Sequence, residues 1–122
     1  MLISKPMIAI AIIPVVACVA TLAGAMTGSV MIVNEHLHPD KVLSSVHYYR
    51  PPYAEGVLVN ESGHSYASAT VEYTAYSKNG RKSGKWSRCF RNFRSRDKYH
   101  FVLVLGKHAL DGKLVSRITL KE

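Results

Sequence analysis

Residues Ala67–Gly80 read ASATVEYTAYSKNG. Ala67, Ala69, Val71, Tyr73 and Ala75 alternate with Ser68, Thr70, Glu72, Thr74 and Tyr76. A period of two sends one set to a core and the other to water, which predicts a β-strand over Ala67–Ser77. Asn79-Gly80 follows as a hairpin signal, because both residues tolerate a positive φ.

Working outward, the same grammar repeats. Arg81–Phe93 is less regular: Trp86 and Phe90 share one parity, Cys89 and Phe93 the other, which predicts a bulge or break near Cys89. Lys98–Leu105, KYHFVLVL, and Lys113–Lys121, KLVSRITLK, read as strands on either side of a loop at Gly106–Gly112. Toward the N-terminus, Ala54–Asn60 reads as a strand ending in the turn Asn60–His64. Val42–Tyr49 reads as another strand, ended by Arg50-Pro51-Pro52 because two prolines cannot sit in a paired central strand. Six short strands at near-regular spacing, without an amphipathic helix, predict an all-β sandwich over residues 42–122.

The run Gly56-Val57-Leu58-Val59-Asn60-Glu61-Ser62-Gly63, followed by Ala69-Thr70-Val71-Glu72-Tyr73-Thr74-Ala75-Tyr76-Ser77-Lys78-Asn79-Gly80, resembles the FxLYD-type domain of bacterial and archaeal envelope proteins. Tyr73, Ala75 and Ser77 replace the family's Phe, Leu and Asp, and Ser95-Arg96-Asp97 stands where a Pro-Gly turn is usual. The resemblance implies an immunoglobulin-like sandwich of six to seven strands. It also implies an accessory or adhesion-type module without chemistry of its own. Asn60-Glu61-Ser62 matches a glycosylation sequon while filling the family's turn.

Met7–Val33 contains no Asp, Glu, Lys, Arg, His, Asn or Gln. As a helix it is long enough to cross a hydrocarbon core about 30 Å thick, with Pro14 kinking its first third. A cleaved signal and a lipobox at Val15–Cys18 compete with this reading. The apolar run continues past both, which favours an uncleaved anchor over residues 1–33. Residues 34–41 then form a linker. Lys5 on the short side, against Glu35 and Asp40 beyond the run, places the N-terminus in the cytoplasm and the sandwich outside. Ala20, Gly24 and Gly28 form a small-residue stripe suited to helix–helix self-association.

From Asn34 onward there are 15 Lys/Arg against 8 Asp/Glu, which calls for an anionic neighbour such as lipid head groups, an acidic glycan or nucleic acid. Lys78–Lys98 concentrates this charge: nine Lys/Arg and one acid, with Trp86, Phe90 and Phe93 interleaved. Arg81, Lys82, Lys85, Trp86, Arg88, Arg91, Arg94 and Arg96 are therefore the candidate partner-binding residues. The partner expected is another envelope or membrane protein or an anionic lipid surface. A membrane-tethered nucleic-acid-binding domain using residues 78–98 is the alternative, because cations with interleaved rings also track a phosphate backbone. The bland reading puts the rings in the core and the cations on a solvated edge that discourages aggregation.

No other motif carries chemistry. His36, His38, His47, His64, His100 and His108 lack zinc spacing, and there is no Gly-x-Ser-x-Gly elbow and no P-loop. The acids are scattered along the chain. The expectation is a non-enzymatic protein with no catalytic, cofactor or metal site. Cys89 is expected in the core, and Cys18 lies too far away to pair with it.

Overall fold

The computed structural model describes residues 7–14, 26–27, 29–43 and 48–122. Its strands are β1 Met7–Pro14, β2 Met26–Thr27, β3 Val30–His38, β4 Lys41–Leu43, β5 Tyr48–Arg50, β6 Tyr53–Asn60, β7 Tyr66–Tyr76, β8 Lys82–Phe93, β9 Lys98–Val104 and β10 Lys113–Lys121. The described chain is all-β. One sheet has the order β1-β10-β7-β8, the other β2-β3-β6-β9, and β4 and β5 form a small hairpin of their own. Every pairing is antiparallel.

The two four-stranded sheets share one core. β7 contributes Ala69, Val71, Tyr73 and Ala75, and β10 contributes Leu114, Ile118 and Leu120. Val30, Ile32 and Leu37 of β3, Leu58 of β6 and Phe101 of β9 meet them from the other side. Each such aliphatic or aromatic side chain removed from water is worth about 1.5–3 kcal/mol. Gly56 lets the layer close: a Cβ there would stand 2.9 Å from Ile32 and 3.0 Å from Phe101. The hairpin between β7 and β8 turns on Gly80, whose φ of 84° suits glycine, and is latched by Ser77 N–H donating to the Arg81 carbonyl at 2.7 Å.

Several expectations need correction. Where a helix was expected at Met7–Val33, Met7–Pro14 is a strand paired with β10, from Met7 opposite Leu120 to Pro14 opposite Lys113. Val30–Val33 opens β3. Ile and Ala alternate in β1, and both are apolar, so this stretch suits a strand as readily as an apolar helix. The rest of that run, with Cys18, Ala20, Gly24 and Gly28, lies outside the described residues. No described helix is long and apolar enough to cross a membrane. The expected linker is strand as far as His38.

The strand expected at Val42–Tyr49 is the hairpin β4–β5 instead, with residues 44–47 not described. In β7 the inward residue at the start is Tyr66, and Ala67 is exposed. Opposite it, Phe90 and Phe93 of β8 both point inward because Asn92, with φ 54°, breaks the alternation. The pairing register keeps step past Asn92, from Gly84 to Phe93, and shifts between Ala75 and Tyr76 at the hairpin end of β8. Cys89 pairs regularly with Thr70 and is exposed, not in the core.

Candidate functional site

β8 is twelve residues long and borders its sheet. Lys82, Lys85, Arg88, Arg91 and Arg94 recur every third residue along it and its exit. A strand alternates faces every residue, so a spacing of three distributes the cations over both sides of the edge. Arg88 stands opposite Val71, on the core-side row, and is exposed because the edge overhangs the core. Lys85 and Arg91 stand opposite Thr74 and Ser68, on the outer row. Arg81 and Lys82 lie at one end of the strand. Arg94 and Arg96 lie at the other, in the turn into β9, where Arg94 N–H donates to Asp97 Oδ2 at 2.8 Å. The expected residues thus form a rim around one edge, not a patch on one face.

Little negative charge opposes this rim. Glu72 forms ion pairs with Lys85 at 3.2 Å and with Arg117 of β10 at 3.6 Å. Among the described residues, Arg81, Lys82, Arg88, Arg91, Arg94 and Arg96 make no ion pair. The interleaved rings divide. Phe93 is fully buried. Phe90 stacks on Tyr99 with centroids 4.9 Å apart, and Arg88 covers the Phe90 ring at 5.4 Å. Trp86 is half-buried and lines a cavity at the β8 end of the loop between β9 and β10.

The turn beneath Arg94 and Arg96 is built on Asn60, whose side chain is completely buried. Its amide donates to the carbonyls of His64 at 2.8 Å and Arg94 at 3.0 Å, and more weakly to that of Phe93. Its Oδ1 accepts from Ser62 N–H at 3.0 Å and from the Ser62 hydroxyl at 2.6 Å. The sequon at Asn60 is therefore a structural knot, with no amide exposed for a glycan.

Two clusters escaped the sequence reading. On the outer face of the second sheet, the Glu55 carboxylate is bracketed by His38 at 3.3 Å and His100 at 3.1 Å, one on each oxygen. Hydrogen bonding from His100, opposed by partial burial and helped by His38, holds Glu55 below the usual carboxylate range. Tyr53 stacks on His38 at 4.1 Å, and Arg50 lies over Tyr53 at 5.4 Å. These three strands bring together residues far apart in the chain.

In the core, Glu35 is buried and accepts the Tyr73 hydroxyl, while its Oε1 has no partner. Burial pushes its pKa up to about 6, and the Tyr73 hydroxyl opposes the rise. Tyr73 is pushed up as well, by burial and by the neighbouring carboxylate. A one-residue slip explains the position of Glu35. Val30 and Ile32 point inward on even parity, Asn34 takes φ 52°, and Glu35 and Leu37 then point inward on odd parity.

No protein-family model, curated protein or solved structure matches this chain. Among the described residues, no group of three or more His, Cys, Asp or Glu could hold a metal ion. The His36 ring lies 6.3 Å from that of His38, His64 and His108 are on separate loops, and His47 lies outside the described residues. The β8 flank offers cations, ring faces and hydroxyls, which together can hold an anion against a hydrophobic surface.

Proposed function

We propose that this chain is a non-catalytic binding module of the cell envelope, whose β8 edge holds an anionic partner. The observation that carries this reading is the cation spacing of three on an edge strand, which charges both faces of the edge and, among the described residues, leaves four of those five cations without a carboxylate. An edge that needed only protection from aggregation is served by one or two lysines.

The strand order supports an immunoglobulin-like arrangement. β3-β6-β9 corresponds to strands A, B and E of that fold, and β10-β7-β8 to F, C and C′. β1 then lies where the last strand, G, would run. The FxLYD-type resemblance of Gly56–Gly80 is in keeping with this, since its turn is the Asn60 knot. The envelope setting rests on that resemblance and on the apolar N-terminal run. A helix across Met7–Val33 excludes the ladders of β1 and of the first half of β3, so attachment through that run would open sheet edges at β10 and β6.

The test is binding to vesicles containing anionic lipid and to an acidic polymer, at rising salt. Substituting Arg88, Arg91 and Arg94 together by Ala should weaken binding about a hundredfold, at about 1 kcal/mol per cation. All three are exposed, so the circular dichroism spectrum should not change. A variant that binds like the parent chain would remove the β8 edge from the proposal. The second reading, a nucleic-acid-binding domain, draws on Trp86 and the Phe90–Tyr99 stack beside Arg88; preferential retention of single-stranded DNA in the same assay would favour it.

A further inference from the structure

The indole of Trp86 occupies a slot that only glycine permits. A Cβ on Gly84, two residues earlier on the same strand, would overlap the six-membered ring. A Cβ on Gly106, in the loop after β9, would come within 2.9 Å of it. That loop is fixed at both ends. Leu105 N–H donates to the Pro52 carbonyl at 2.8 Å, and Ala109, itself buried, donates to the Gly106 carbonyl at 3.0 Å.

Over the indole lies a cavity of about 240 Å³, lined by Ser83, Trp86, Gly106, Lys107, His108 and Ala109. Its polar groups stand at an exposed rim. Lys107 Nζ is 5.7 Å from the centroid of the Tyr49 ring in β5. His108 Nδ1 is 2.8 Å from Asp111 Oδ2, so a proton on Nδ1 leaves Nε2 as an acceptor.

We propose that this cavity is a subsite for an acidic sugar. It rests on the reading of the β8 flank as a surface for an anionic partner, and names the partner's class. A pyranose lays its C–H face on the indole, its ring carboxylate lies beside the Lys107 ammonium, and its hydroxyls meet Ser83 and His108. The size fits one ring, since sites for drug-sized ligands begin at about 300 Å³. The placement of charge decides between candidates. Lys107 shares a one-ring cavity with Trp86, which suits a carboxylate borne on the stacked ring itself. In a nucleotide, a ribose separates the stacking base from its phosphate. Along the same row of β8, Arg88 lies two residues on, about 7 Å away, over the Phe90 ring. A second acidic sugar in the same chain meets its guanidinium there.

Trp86 is the only tryptophan, so its fluorescence reports this cavity alone. Titrating the full chain with galacturonic acid oligomers should give a saturable fluorescence change, and neutral maltohexaose should give none. Trp86→Ala and Lys107→Ala should each weaken binding to immobilised oligogalacturonate roughly tenfold, the weight of one ring or charge contact. Trp86→Phe, which keeps a ring in the slot, should recover part of the loss. Polyaspartate carries charge without rings. If it binds as well, and Trp86→Phe and Lys107→Ala bind like the parent, the sugar subsite is wrong while the charged edge stands. If neither polymer binds, both readings fall. Stronger saturation of Trp86 by oligothymidylate would overturn the sugar assignment in favour of a nucleic acid.

Discussion

Asn60→Ala is expected to lower stability by about 3 kcal/mol, because it removes a fully buried amide that bonds two part-buried carbonyls and one buried one, at about 1 kcal/mol for each bond lost. The His64 and Arg94 carbonyls lose their short bonds, the Phe93 carbonyl loses a weaker one, and Ser62 loses the acceptor that closes the turn. The loss is long-range: Asn60 joins the end of β6 to the turn between β8 and β9, and its own backbone adds bonds to Arg96 at 2.7 Å and Asp97 at 3.0 Å. Against a typical total of about 5–15 kcal/mol this is a large fraction. Urea unfolding of the parent and the variant measures it. A difference below about 1 kcal/mol would mean that water replaces the amide and that the knot is dispensable.

The second large effect is a dependence on pH. Glu35 has a folded pKa of about 6 against 4.5 in the unfolded chain. The folded state therefore holds the proton more tightly. The contribution of Glu35 to stability is fullest below pH 4.5, falls as pH rises toward 6 and is level above that. The fall amounts to about 2 kcal/mol at about 1.4 kcal/mol per pH unit. Glu55 works in the opposite sense: its lowered pKa withdraws stability as pH falls through the acid range.

Comparison with Glu35→Gln separates the two. The variant should lack the decline between pH 4.5 and 6, and should gain on the parent at neutral pH. Tyr73→Phe removes the donor that favours the ionised carboxylate, so it should push the decline to higher pH and deepen it. Parallel curves for the parent and Glu35→Gln across this range would show that Glu35 does not titrate in the core.

The sequence exposed the later strands well and the early ones poorly, for a physical reason. β7 and β10 face a core on one side and water on the other, so Val71 stands out between Thr70 and Glu72, and Ile118 between Arg117 and Thr119. β1 has no polar neighbours to contrast with, and its partner β10 lies about a hundred residues away in the chain. β3 hides its pattern differently. The left-handed turn of the backbone at Asn34 shifts the parity in mid-strand, so VMIVNEHLH reads as an apolar tail and a linker.

The same slip hid Glu35, which looked like a flanking charge. The basic residues of β8 were visible at once, but their grouping was not. A spacing of three means a rim only once the segment is known to be an edge strand. The Glu55 cluster needed β3, β6 and β9 to be adjacent, and no local signal carries that.

Because β1 lies against β10, the two described ends of the sandwich meet at one corner, with Met7 opposite Leu120. β8 lies at the far border of that sheet, three strand spacings or about 14 Å away. A chain immobilised near either end is gripped by this corner and turns its charged border outward. Orientation on a support, or on a larger assembly, is thus set by the order of strands in the sheet.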